Sequence, residues 1–177
     1  LGDFSYEGVI PDAQAHVHQF DHFVINNIVP HNPPSADVVS ISFGDTFEKW
    51  WTRGIQSLAQ HNGLIFVAAI GNGADAYDPP LYPAAGANVI AVGVVDSVST
   101  ADPATKLANF ALATPAHSTW GPTGTGRSKP DIVAPGNFLV AEPNDPNAYS
   151  PSGDFSSFAT PLVSGVARSG SRRAAAS

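Results

Sequence analysis

The hydrophobic residues of this chain fall into short blocks separated by polar stretches rich in glycine and proline. The run Asp37–Val38–Val39–Ser40–Ile41–Ser42–Phe43 predicts a strand. Leu64 to Ile70 is continuously apolar and of strand length, as expected of a strand buried on both faces. Asn88 to Val95 repeats that pattern, and Asp131 to Ala134 is a shorter candidate. The alternation from Ala15 to Phe20 predicts one more strand near the start.

A helix is predicted between the Asp37 and Leu64 runs. Phe47, Trp50, Trp51, Ile55 and Leu58 share one face at helical spacing, and the tryptophan pair reads as core packing. Asp45 is placed to cap this helix, with Glu48 as its reciprocal partner. Asn62–Gly63 should stop it, because glycine accepts the left-handed conformation after a helix. Strand, helix and parallel strand make a βαβ unit, so the predicted class is α/β with a mainly parallel sheet and helices on both faces. From Ala101 to Ser152 the sequence is loop-like with embedded strands. A last helix should begin near Ser157 and run through Val163 and Val166. The segment 168–177 loses its apolar residues; it reads as a disordered or vector-derived tail, or as a natural basic one.

Length and composition narrow the function. The 177 residues, 43% of them apolar, suffice for one core, and no linker divides them. No run of eighteen apolar residues occurs, so no membrane partner is expected. A net charge of −7 with only 8 Lys and Arg argues against nucleic acid and fits a secreted or extracytoplasmic protein. Without Cys there is no thiol nucleophile and no thiolate metal site. Without Met the chain is expected to begin downstream of its translational start, as a processed product or an excerpt.

Two segments carry candidate chemistry. Gly153–Asp154–Phe155–Ser156–Ser157–Phe158–Ala159–Thr160–Pro161 places a serine at a helix start, where its hydroxyl and backbone N–H can face a carbonyl. Ala69–Ile70–Gly71–Asn72–Gly73 places an amide donor at the end of a buried strand. Together they could attack a carbonyl and hold the oxyanion. Read alone, Ser157 is better taken as a plain N-cap, and Asn72 reads as a turn residue in Gly-Asn-Gly.

Six motifs in order resolve that ambiguity, because together they resemble the subtilisin-like serine proteases, the subtilase family. Gly8–Val9–Ile10–Pro11–Asp12–Ala13 is similar to "GVAPDA", and Ser42–Phe43–Gly44 to the "SLG" strand end lining the cleft. Ala68–Ala69–Ile70–Gly71–Asn72–Gly73 is similar to "AAAGNxG". Tyr82–Pro83–Ala84 with Val89–Ile90–Ala91–Val92–Gly93–Val94–Val95–Asp96 is similar to "YPA…VIAVGAVD". Gly121–Pro122 with Lys129–Pro130–Asp131–Ile132–Val133–Ala134–Pro135–Gly136 resembles "RGP…KPDIVAPG". Ser156 to Pro161 meets "GTSxA[ST]P" from its second position. The likeness covers Gly8 to Ala167, so residues 1–167 are expected to form a partial, truncated subtilase domain.

The resemblance implies a serine endopeptidase with Ser157 as nucleophile and Asn72 in the oxyanion hole. It implies a substrate cleft from Ser42, Phe43, Gly44, Ala69, Ile70 and Gly71, with Leu81 at the base of a shallow first pocket suited to small or medium apolar side chains. The partner is then a peptide or protein. The family's catalytic Asp and His both precede "GVAPDA", and neither a "DTG" nor an "HGTH" occurs here. The chain is therefore expected to be inactive alone unless an upstream segment completes it. A non-catalytic module binding peptides or partners in the same cleft is the alternative. His117 is the histidine expected nearest the cleft, with His31 and His61 elsewhere. His16 and His18, on one strand face, could hold zinc with His22; structural roles are the competing reading. No cofactor is expected, calcium being possible only in a complete family domain. Phe155 stands where the family has Gly, so either its bulk disturbs the close turn before the nucleophile or Asp154–Phe155 is a small insertion after Gly153; Ser156 for the usual Thr is a mild change.

Overall fold

The computed structural model describes residues 8–73, 78–101, 108–112, 118–137, 139–142 and 144–175. His117 lies outside them.

Three strands form the parallel heart of the sheet. β1 (Val38–Ile41) leads through α2 (Trp50–Asn62) to β2 (Ile65–Ala69), which pairs with β3 (Ile90–Ala101). β1 and β2 align Val38 with Ile65 and Ile41 with Ala68. β4 (Ala108–Leu112) runs antiparallel to β3, while β5 (Ile132–Pro135) pairs parallel with it. β6 (Leu139–Glu142) and β7 (Asp145–Pro151) form a separate antiparallel pair. α3 (Ser156–Ala175) closes the chain.

The strand residues alternate between two cores, the period-two consequence of the pleat. Phe66, Ala68 and Ile70 pack with Ile41, Ala91 and the α2 residues Trp51, Ile55 and Leu58. Val67, Val92 and Val94 pack with Ala134 and with Ala159 and Val163 of α3. Helices therefore cover both faces of the sheet, as the patterning predicts. Among the described residues no helix is long and apolar enough to cross a membrane.

The "KPD" segment clamps β5 to the sheet. Asp131 donates its N–H to Ala91 O (3.0 Å) and accepts the Ala91 N–H on Oδ2 (2.8 Å). The buried Lys129 ammonium reaches Val89 O (2.9 Å) and the same Asp131 carboxylate. A buried cation paired in this way avoids the penalty of an uncompensated charge.

Several local expectations differ from the structure. Ala15 to Gln19 is irregular and Phe20–Phe23 forms one helical turn, α1, continued by a π-type turn over Val24–Ile28. His16 and His18 thus share no strand face. α2 starts at Trp50, so Phe47 lies outside it. Phe47 and Trp50 are 73% and 62% exposed, and only Trp51 of the tryptophan pair joins the core. The reciprocal partner is Thr52: Lys49 N–H donates to Thr52 Oγ1 (3.0 Å), which donates to Lys49 O (2.7 Å). Thr52 is fully buried and can serve the cap without exposing polar atoms, so it displaces Glu48, which binds Arg53 and Gln56. Gly63 ends the helix in the left-handed region (φ 65°), as expected. The backbone of α3 continues through residues 168–175, where loss of apolar residues predicts its end; Arg168 there pairs with Asp37 at 2.8 Å.

Candidate active site

The candidate residues gather where β1 and β2 end, the carboxyl edge at which open α/β sheets bind ligands. Ser42–Gly44 leaves β1, Ile70–Gly73 leaves β2, and α3 brings Ser157 from the far end of the sequence.

Ser157 lies in the first turn of α3, held to β1 by a reciprocal pair. Its Oγ donates to Ser42 O (3.1 Å), and Ser42 Oγ donates to Ser157 O (2.9 Å). Among the described residues the Ser157 hydroxyl bonds no imidazole.

Asn72 is fixed by Ser156. The Asn72 Oδ1 accepts both the Ser156 N–H (2.9 Å) and the Ser156 hydroxyl (2.8 Å). That assigns the oxygen side of the amide to Ser156 and leaves the NH₂ as the donor end. Ser156 Oγ also accepts the Gly71 N–H at 3.3 Å.

Thr119, only 2% exposed, clamps the same loop from the other side. Its N–H donates to Gly71 O (3.0 Å), and its Oγ1 accepts the Gly73 N–H (3.0 Å). Both residues flanking Asn72 are thus tied to one threonine. Gly71 has φ 118°, and a Cβ there would lie 2.8 Å from Thr119 Oγ1. Sequence reasoning missed Thr119; the only signal was its place two residues before Gly121–Pro122.

Leu81 is wedged between the two strand ends. A Cβ on Gly44 would lie 2.8 Å from Leu81 Cβ, and one on Gly71 would lie 3.2 Å from Leu81 Cγ. Leu81 N–H donates to Ile70 O (2.9 Å), while Asp45 and Tyr82 exchange two backbone bonds of 2.8 Å. The Asp45 carboxyl is held below its ordinary range, first by its hydrogen bond from Lys49 and then by the Phe47 N–H. Ala69 and Ile70 bury their side chains in the cores, so only their backbone can border the cleft. Phe43 turns to Phe20 and Trp51, with ring centres 5.0 Å and 6.2 Å away.

Phe155 donates its N–H to Gly153 O (2.8 Å), closing a tight turn before α3. It lies outside the left-handed region, where His31 is the sole non-glycine among the described residues. Its carbonyl accepts the Phe158 N–H (2.9 Å), beginning α3 in an ordinary way. Its ring lies over Gly153, where a Cβ would sit 2.6 Å from it. Among the described residues no three His, Asp or Glu side chains gather to hold a metal ion, so His16, His18 and His22 do not converge.

Comparison with known proteins gives a consistent picture. Residues 7–169 match the sequence model of the subtilase family. The chain is 32% identical over 133 residues to "Subtilisin-like protease SBT6.1" of Arabidopsis thaliana, covering 73% of this chain and 12% of that protein. Among solved structures it resembles the prenylagaramide maturation protease PagA (28% identity, TM-score 0.55), covering 89% of this chain and 50% of that one. It also resembles sphericase (25% identity, TM-score 0.55), covering 73% of this chain and 40% of that one. The chain therefore spans no more than half of these solved structures and far less of the curated relative.

Proposed function

The chain belongs to the subtilase family, and on that premise we propose that it carries the nucleophile and oxyanion half of a serine endopeptidase site. The observation that carries the reading is the Ser156 bridge, which ties the Asn72 side chain to the residue just before Ser157. In the proposed reaction Ser157 Oγ attacks the peptide carbonyl and forms an acyl-enzyme. The Asn72 NH₂ and the Ser157 N–H stabilise the oxyanion. The family's histidine would take the serine proton and pass it to the leaving amine, and its aspartate would orient that histidine.

Ser42–Gly44 and the Ala69–Gly71 backbone border the substrate. Leu81, packed against Gly44 and Gly71, closes the first pocket and selects small or medium apolar side chains. Efficient cleavage after Arg or Lys would refute that preference. A secreted or extracytoplasmic location belongs to the same reading, as does a segment supplying the two missing triad members.

The parked Ser157 hydroxyl, donating to Ser42 O, favours an inactive chain when alone and gives the peptide-binding module its one specific support. Labelling with a fluorophosphonate, read by intact mass with Ser157→Ala as control, tests both readings. The expected result is slow labelling confined to Ser157, with a rate that rises with hydroxide and shows no plateau near neutral pH. A stoichiometric, rapid reaction at Ser157 would overturn inactivity. Labelling of another residue in preference to Ser157 would count against Ser157 as nucleophile, while no labelling of the folded chain would fit an inactive half-site and the binding module alike.

A further inference from the structure

A second chemically distinctive cluster lies where the turn before β1 meets the last turn of α2, among residues that the proteolytic reading does not use. We propose that His31 and His61 form a two-histidine site for a divalent first-row transition ion, with Ser57 orienting both rings.

Three observations support the assignment. His61 Nδ1 lies 2.8 Å from Ser57 O. A carbonyl can only accept, so Nδ1 carries the proton and Nε2 keeps its lone pair. Donation of the second ring nitrogen to a backbone carbonyl is the arrangement that fixes metal-binding histidines. His31 Nε2 lies 2.8 Å from Ser57 Oγ, a hydroxyl that can accept its proton and leave Nδ1 as the ligand. One serine thereby holds both imidazoles.

The ring spacing also fits. His31 and His61 have centroids 5.9 Å apart and planes inclined by 64°. With metal–nitrogen bonds of about 2.0–2.1 Å, two imidazoles on one tetrahedral ion have ring centres roughly 5 Å apart. The required approach is about 1 Å, within reach of two exposed side chains. Their exposure leaves water free to complete the shell. Imidazole donors without thiolate select zinc, copper or nickel over calcium and magnesium.

His31 holds an uncommon backbone for a non-glycine residue, φ 54°. Residues held in sparsely populated backbone regions persist only where their surroundings fix them. The His31–Ser57 bond ties this residue to α2 across 26 positions of sequence. A bound ion would strengthen that clasp between the turn and the helix, and would raise thermal stability by binding only the folded chain.

The rival pair is His18 and His22, whose rings lie 6.3 Å apart. The experiment is calorimetric titration of the metal-free full chain with Zn²⁺, together with its His31→Ala, His61→Ala and His18→Ala variants. Metal-free circular dichroism and melting establish that each variant folds. We expect one ion per chain, affinity lowered at least tenfold in His31→Ala and in His61→Ala, and unchanged affinity in His18→Ala. Zn²⁺ should raise the melting temperature of the parent and of His18→Ala only. No binding by the parent, binding indifferent to both His31 and His61, or dependence on His18 would each overturn the site. The outcome is independent of fluorophosphonate reactivity, so failure of this site and failure of the proteolytic reading are separable.

Discussion

Replacing Ser156 by alanine isolates the bridge that sets Asn72. The hydroxyl donates one buried hydrogen bond to Asn72 Oδ1 (2.8 Å), worth about 1 kcal/mol net. It also accepts the Gly71 N–H at 3.3 Å. Removing it leaves a buried donor without a partner, at about 1–3 kcal/mol, and the long distance puts that penalty at the low end of the range. The sum is a loss of about 2–3 kcal/mol. Ser157→Ala is the matched control, because its hydroxyl is half-buried and water can replace it on Ser42 O. That control should cost about 1 kcal/mol or less. Both substitutions remove a serine from the first turn of α3, so the intrinsic helix preference largely cancels in the comparison. Urea unfolding with unchanged m-values is the assay. If Ser156→Ala costs no more than Ser157→Ala, the bridge does not bear on the loop and the reasoning fails.

Three further outcomes are expected. Leu58→Ala removes a fully buried side chain from the α2 core and should cost about 2–5 kcal/mol in the same assay; a loss below 1 kcal/mol would mean that α2 is not anchored there. Gly71→Ala must hold alanine at φ 118° with its Cβ against Thr119 Oγ1, and should cost about 1–3 kcal/mol while exposing the Gly73 amide to hydrogen exchange. The lowered pKa of Asp45 fixes the sign of its acid dependence: its contribution is complete above the ordinary carboxylate value and is lost as pH falls through the lower, folded value. Carbon-detected NMR titration should find the Asp45 carboxyl below its usual range and raised toward it in Lys49→Met, where the Phe47 N–H still holds it.

What the sequence made legible was what repeats. The buried strands β1, β2 and β3 show as short apolar runs, and Ile55 and Leu58 of α2 as a 3.6-residue stripe, each within one window of sequence. Ser157, Asn72 and Leu81 were singled out by motif order, and the structure brings them to the ends of β1 and β2. What stayed hidden depends on contacts between distant segments. Thr119 earns its place only by meeting Gly71 and Gly73, 46 residues before it in the second case. Ala15 to Phe20 alternates like a strand but gains no sheet neighbour, and a strand without a ladder cannot satisfy its backbone. Phe47 and Trp50 fit the helical stripe by spacing, yet the helix begins at Trp50 and turns Trp51 inward instead.

The contacts that seat α3 on β1 carry a consequence for synthesis. Ser157 meets Ser42 across 115 residues, and Ser164 meets Ser40 across 124. At translation rates of about 5–20 residues per second, the Ser42 ledge waits roughly 6–23 s for its partner to be made. During that interval β1 and β2 can pair, but Ser42 has no Ser157 to meet. Contacts so distant along the chain are also the slowest class to close. The seating of α3 on the end of β1 is therefore a late product of folding.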